Sequence, residues 1–390
     1  MIHYKYINSK ISNILLTIFI IFPKIDLIPI PGYWQGIRVE NIIIFLFAFS
    51  FIFKSNFVVN FRHQNFQYKN FYYFFLYLFF SNLIGLTSGL DVKFLIIIRL
   101  IEYIFYLFLI DSLTINRKFL TDLLFIFLIL NLFIVILQLN DIVGSFSSLG
   151  YTSPNHEINN RALGLLGGSW ELSIISSLSY IFIFKNEKSK MKIFIIFFIS
   201  AFLVIVSQSK TQTIVFIFVV TSLLISSKQY AALFIMAFSS VFVFLSFDVV
   251  VFNKIKDLDL IYLYKLTYNA FVLDIIPARE QLENHYVNLS YWYRLNFWAT
   301  LNQEFKTNIA TMLFGTGFTR VYVESFHIRI LFSSGIIGVL YLLFLIRNIN
   351  PLFLITFLIA GLTLDLFMSL KIYLLTLIII KNNFYEKKNY

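Results

Sequence analysis

The hydrophobic residues of this chain come in long runs separated by short polar breaks. A helix that crosses a bilayer needs about 20 mostly apolar residues, somewhat fewer where Lys or aromatic residues at its ends reach the interface. By that measure runs centre near residues 17, 45, 79, 103, 130, 175, 199, 219, 238, 337, 357 and 375, which predicts an all-α polytopic membrane protein of about twelve transmembrane helices. The first run, "ISNILLTIFIIF", lacks an A-x-A-like cleavage site and is followed at once by Pro23 and Lys24, so it reads as a retained first helix.

One break is different. Residues 248–327 form a long polar and amphipathic segment between the ninth and tenth runs, including "DIIPAREQLENHYVNLSYWYRLNFWATLNQEF". A connection of roughly 80 residues is functional or disordered, and its Tyr, Trp and Leu content argues against disorder. Short helices on the membrane face are expected, one at 289–306 with Tyr293, Phe297 and Leu301 on its buried face. With no fixed-period repeat and no Gly/Ser linker, residues 1–390 read as one transmembrane domain carrying this loop.

Composition supports the membrane reading. Of the 390 residues 59% are hydrophobic and 13% charged, about half the charged fraction of a soluble domain. The 49 Phe are read as compositional bias. The net charge of +11 would suit nucleic acid, but its placement argues otherwise. With the N-terminus inside, the cytoplasmic breaks hold Lys54, Arg62, Lys69, Arg117, Lys118, "KNEKSKMK" at 185–192, Lys228 and Arg347 and the tails add Lys5, Lys10, Lys381, Lys387 and Lys388, while the short outer breaks hold few cations: Lys24, Arg38, Lys93, Arg161, Lys210 and Lys371. The positive-inside rule therefore puts both termini in the cytoplasm, and the basic excess orients the chain without implying a nucleic-acid partner.

Chemistry is sparse. No cysteine is present, which excludes thiol catalysis, a Cys-bound metal and disulfides. There is no H-E-x-x-H, Walker or G-x-S-x-G motif, and the five histidines are too scattered to suggest a metal site; no metal and no cofactor are expected. The outer side carries the rest. In "SPNHEINNRALGLLGGSWELS", Arg161 precedes a glycine-rich stretch that could offer N–H groups to an anion, or Arg161 is an interface anchor. In "VSQSKTQTIV", Lys210 with its neighbouring hydroxyls could hold a phosphate, or is a snorkelling lysine. In "YWYRLNFW", Arg294 among aromatic rings suits packing or a sugar face. "FGTGF" reads as a turn into an outer segment with Arg320 and Glu324, and His327 stands at a helix start two residues before Arg329, where an imidazole could accept a proton. Inside the fourth run, Arg99 and Glu102 share a face, as an ion pair or as the lining of a wet cavity.

Taken in order, "NNRALGLLGGSWELS", "SQSKTQT", the long loop, "FGTGF", "SFHIRILFSSGIIGVLYLLFL" and "AGLTLDLFMSLKIYLL" give a chain that resembles the O-antigen polymerase and O-antigen ligase superfamily from about residue 150 onward. The first 150 residues match only in hydropathy. The resemblance implies a GT-C-like, metal-independent, inverting glycosyltransferase of the bacterial inner membrane with a periplasmic active site. It implies undecaprenyl-pyrophosphate-linked glycans as substrates, membrane lipids around the enzyme, and a chain-length regulator and flippase of the same pathway as partners. It assigns Arg161, Lys210 and Arg294, with Arg329 and Arg320, to the pyrophosphate, His327 to the acceptor hydroxyl, and Glu324 as reserve base. Lys210 stands where many relatives have Arg, and "HIRI" departs from the His-Asn pattern of ligases, which favours a polymerase over the ligase. A flippase or transporter is the alternative of another class; internal symmetry and broken helices would mark it.

Overall fold

The computed structural model describes residues 8–28, 37–43, 45–46, 66–92, 94–144, 162–228, 260–273, 275, 289–319, 325–347, 349, 351–361 and 369–385. Over these the chain is mostly helical: α1 (Ser9–Ile21), α2 (Phe66–Thr87), α3 (Phe94–Ser112), α4 (Arg117–Leu139), α5 (Ser169–Asn186), α6 (Lys190–Val206), α7 (Lys210–Ser226), α8 (Leu260–Val272), α9 (Leu289–Phe305), α10 (Ile309–Phe314), α11 (Phe326–Ile346), α12 (Pro351–Gly361) and α13 (Leu370–Tyr385). Helices thus stand at ten of the twelve predicted centres; residues near 45 are helical in part, and 238 lies outside the described residues. Among the described residues α4, with 23 residues, and α11, with 21, are long and apolar enough to cross a membrane.

The purely helical expectation needs one correction. After Pro23 ends α1, β1 (Asp26–Ile28) pairs antiparallel with β2 (Ile37–Arg38). A proline that cannot continue the helix and a run of Ile and Leu favour this short extended pair.

Helix α5 is the axis of the bundle. From Glu171 to Ile183 every residue is buried, so no face of it meets the surroundings, and α4, α6, α7, α12 and α13 all pack on it. Its serines make this possible, because small side chains let helices approach closely. Ser173 shares a short hydrogen bond with Ser207 at the end of α6, and Ser177 donates to the Ser173 carbonyl at 2.9 Å. The outward faces of α2, α4, α6 and α11 instead expose Leu76, Phe133, Phe194, Phe198 and Leu340, an apolar surface far larger than a soluble monomer presents.

The cytoplasmic end predicted from charge is stitched by its cations. Lys381 of α13 donates to the carbonyls of Ile110, Asp111 and Leu113 at 2.7 Å each, capping the C-terminus of α3 where a positive charge is favoured. Arg117 donates to the Asn382 carbonyl at 3.0 Å, and Lys192 joins Asp122 at 2.8 Å and Glu187 at 2.9 Å.

Candidate functional site

His327 and Arg329 lie in the first turn of α11, which Ser325 precedes as N-cap. The imidazole Nε2 is 2.8 Å from the Leu358 carbonyl of α12. A carbonyl only accepts, so Nε2 carries the proton and the Nδ1 lone pair is the basic atom of this side chain. Close approach of the two helices makes the contact: Gly361 has no side chain where a Cβ would sit 3.3 Å from Nε2, and Ser325 donates to the Gly361 carbonyl at 3.3 Å. Arg329 is buried, 3% exposed, with its guanidinium 5.9 Å from the Phe318 ring centroid.

Phe318 closes the "FGTGF" segment, expected as a turn into an outer segment; residues 320–324, into which it would lead, lie outside the described residues. Residues 315–319 are all buried. They press against α11 where that helix is broken: Gly335 has φ 67° and ψ −177°, about 13 Å along the axis from Phe326 at 1.5 Å per residue. The break frees carbonyls, and each finds a donor. Thr316 N–H bonds Phe332 O at 2.8 Å, Gly317 N–H bonds Ser333 O at 3.1 Å, and the Tyr77 hydroxyl bonds Ser334 O at 2.6 Å. Such irregular backbone is tolerated at membrane depth only when protein satisfies it. Gly315, at φ 94°, has no room for a Cβ, which would fall 2.2 Å from Ser333 O. Asn82 of α2 then accepts the Phe318 N–H at 2.8 Å.

The helix expected at 289–306 is present as α9 with Leu301 buried as expected, but the rest of its buried face is different. Tyr293 is 45% and Phe297 37% exposed; Leu295, Ala299 and Leu301 are the buried positions. Ala299 is small enough to let α9 settle on Leu266 and Ala270 of α8, while Leu301 and Phe305 pack with Phe332 of α11. Arg294 is half-buried one turn before Trp298, which joins the cluster that reaches Ile328. His327, for its part, turns to α12. Arg161, Arg320 and Glu324 lie outside the described residues, as do the side chains of Lys210, which opens α7, and Arg99. Glu102 accepts a short hydrogen bond from Asn41.

Two further readings change. The glycine-rich stretch after Arg161 spends its N–H groups inside the fold: Gln138 takes those of Leu163 and Gly164 at 3.1 and 2.8 Å, Asn131 takes Leu165 at 3.0 Å, and Glu171 takes Gly167 at 3.1 Å. It is a docked loop and not an anion nest. Ser207, next to the Lys210 turn, is fully buried and bonded to Ser173, away from any phosphate.

A second group of charges escaped the sequence reading. Lys24, Arg38, Glu40, Glu171 and Lys371 are all buried, 1–6% exposed, although they come from the end of α1, β2, the residues after it, α5 and α13. Lys24 pairs with Glu171 at 2.5 Å, and Lys371 donates to the Phe22 carbonyl. Gly167 leaves room for Lys24, since a Cβ would fall 2.8 Å from Lys24 Cδ. Glu40 lies within the electrostatic reach of both lysines, yet neither of its oxygens has a hydrogen-bond partner. Beside Lys371 runs a narrow apolar crevice lined by Phe19, Ile20, Ile175 and Leu374. The signal was available: Glu171 and Lys371 interrupt apolar runs, and an ionisable residue in such a run faces a partner or a cavity. Among the described residues no group of His, Asp and Glu is arranged to hold a metal.

No family model matches the chain. No curated protein is significantly similar to it.

Proposed function

We propose that the chain is a polytopic inner-membrane glycosyltransferase of the O-antigen polymerase type, with about twelve transmembrane helices in a GT-C-like arrangement, both termini cytoplasmic and the active site periplasmic. It moves a growing glycan from undecaprenyl pyrophosphate to a hydroxyl of a new lipid-linked repeat unit. The acceptor oxygen attacks the anomeric carbon, the bond from that carbon to the pyrophosphate oxygen breaks with inversion, and undecaprenyl pyrophosphate leaves with the electron pair. His327 receives the hydroxyl proton at Nδ1, while Arg161, Lys210 and Arg294 neutralise charge on the leaving group. The diphosphate linkage is already activated, so positioning and charge are the main demands on the protein.

One observation supports this reading: three other cations, Lys24, Arg38 and Lys371, are buried together with Glu40 and Glu171 at the predicted outer end of the helices, Lys371 beside an apolar crevice. A phosphate-bearing lipid needs that combination of charge and grease. The break in α11 speaks for the transporter alternative, where half-helix ends bind the cargo. Its freed carbonyls are already bonded to Thr316, Gly317 and Tyr77, however, which leaves them none to offer an ion.

Deletion of the gene followed by gel analysis of the surface glycan separates the readings. Loss of a polymerase leaves lipid A-core with a single repeat unit; loss of a ligase leaves the core bare; loss of a flippase strands units on the cytoplasmic face. Arg161→Ala, Arg294→Ala and His327→Ala should each abolish long chains while the protein still inserts, and full ladders from all three would overturn the assignment.

A further inference from the structure

We infer that the junction of α5, α6 and α7 holds bound water in one buried polar layer, formed by Ser176, Ser200 and Gln212. Gln212 is fully buried, and neither its amide oxygen nor its amide nitrogen has a hydrogen-bond partner among the described residues. The hydroxyls of Ser176 and Ser200, one on each of the other two helices, are also fully buried and without a partner there. Three rings fix the register that brings these side chains to one level. Tyr180 of α5 meets Phe197 of α6 with ring centroids 6.2 Å apart and Phe216 of α7 at 5.7 Å, and Phe197 stacks on Phe216 at 6.3 Å. Helix α6 runs antiparallel to α5, as the contacts of Ser173 with Ser207 and of Tyr180 with Phe197 require, and α7 turns back beside it. Ser176 precedes Tyr180 by four residues, Gln212 precedes Phe216 by four, and Ser200 follows Phe197 by three. Residues three or four apart share a helix face, so each polar side chain lies on the face of its ring, about 5–6 Å further towards the Ser207 turn at 1.5 Å per residue. The rings close this layer on one side, and the hydrogen bond between Ser173 and Ser207 closes it on the other.

The donors and acceptors of the layer select the ligand. The Gln212 amide offers two N–H groups and an oxygen with two lone pairs, and each serine hydroxyl both donates and accepts. Water matches such a mixed set, and buried water typically makes about three hydrogen bonds to groups of this kind. No charged side chain belongs to the layer, so a bare ion of either sign would be buried without a counter-charge, which is costly. The same water fastens the helices differently. Ser173 and Ser207 join α5 to α6 directly, whereas the polar link from Gln212 of α7 to α5 and α6 runs through an exchangeable molecule. This water is independent of the reaction the protein performs, since none of its three partners is assigned to the substrate.

The test is X-ray radiolysis of the full chain in detergent, read by mass spectrometry, because a hydroxyl radical made from a bound water oxidises the side chains around it before it diffuses further. Phe216 is 5% exposed and Phe74 of α2, packed on Phe75 and Tyr341, is 1% exposed, so radicals from bulk solvent reach both poorly. Phe216 should be oxidised several times faster than Phe74, and in water enriched in oxygen-18 its product should carry the heavy isotope. Ser200→Ala with Gln212→Leu removes two of the partners and should bring Phe216 down to the rate of Phe74, while Phe194 on the exposed face of α6 keeps its own rate. Ser200→Thr retains the hydroxyl and should retain the labelling. Equal rates for Phe216 and Phe74 in the wild type would overturn the inference, a comparison that needs no variant to fold. Unchanged labelling of Phe216 in the folded Ser200→Ala/Gln212→Leu protein would overturn it as well.

Discussion

Among the described residues two helices are long and apolar enough to cross a membrane, and they are built on opposite principles. Helix α4 runs unbroken through 23 residues, whereas α11 stops at Gly335 and resumes. Both meet an irregular loop at the predicted outer side. The α4 helix meets it with side chains: Asn131 and Gln138 reach out and take three loop N–H groups without disturbing the helix. The α11 helix meets it with backbone, surrendering its own carbonyls to Thr316 and Gly317. Amide side chains leave a helix straight and hold the loop at its surface, while a break admits the loop into the helix line. The second solution fixes the short half-helix carrying His327 and Arg329 against a rigid junction.

The largest test of that contrast is Gly335→Ala. Its φ of 67° strains any L side chain, and a Cβ would lie 2.4 Å from both Gly315 N and Leu313 O. Backbone strain and overpacking together should cost more than about 3 kcal/mol. Ile129→Ala, at a 40% exposed position of unbroken α4, should cost far less. Thermal unfolding of both in detergent decides it; equal melting temperatures would mean that the junction is not rigid.

Next comes Gln138→Leu, which tests the side-chain solution. It strips the acceptor from Leu163 N–H and Gly164 N–H while keeping an apolar residue of similar size. Each unpaired buried donor costs about 1–3 kcal/mol, so the protein should lose about 2–6 kcal/mol and hydrogen exchange at 163–165 should quicken. Unchanged exchange there would show that Gln138 does not hold the loop. Tyr77→Phe is milder. It removes one of the donors that satisfy the α11 break, the bond to Ser334 O, and should cost about 1 kcal/mol.

Much of this architecture was legible in the chain. Apolar run length placed the helices because a long uninterrupted apolar run folds as a helix, and the helix start expected at His327 is found, with Ser325 as its N-cap. The break at Gly335 was not legible. A glycine among apolar residues is common in membrane helices, and only the partner segment 315–317, which is distant in space until the fold forms, makes it a break. The buried face of α9 was misread because "YWYRLNFW" is aromatic on more than one side, so periodicity alone offers Tyr293 and Phe297 as readily as Leu295 and Ala299. The charge cluster escaped for a similar reason: Lys24 and Arg38 lie in the first outer break and Lys371 in the last, where each reads as a lone interface cation.

The smallest effect concerns the helix that docks beside the α11 junction. Glu304 of α9 has a buried oxygen without a hydrogen-bond partner, and burial pushes its carboxyl above the usual range, aided by the charge of Asp91 and opposed by the Thr319 hydroxyl. The folded protein thus holds this proton more tightly than the unfolded chain. The resulting stabilisation is complete below the unfolded carboxyl value of about 4.3 and is lost as pH rises through the folded value. Glu304→Gln keeps the shape and removes the charge, so it should be the more stable protein at neutral pH, by up to about 1 kcal/mol for one partly buried group, with the advantage shrinking towards pH 4. Melting curves of both proteins from pH 4 to pH 8 give the answer. An advantage of the variant that stayed constant across that range would place the cost of Glu304 in packing and not in its charge, and α9 would then dock on the broken helix by apolar contact alone.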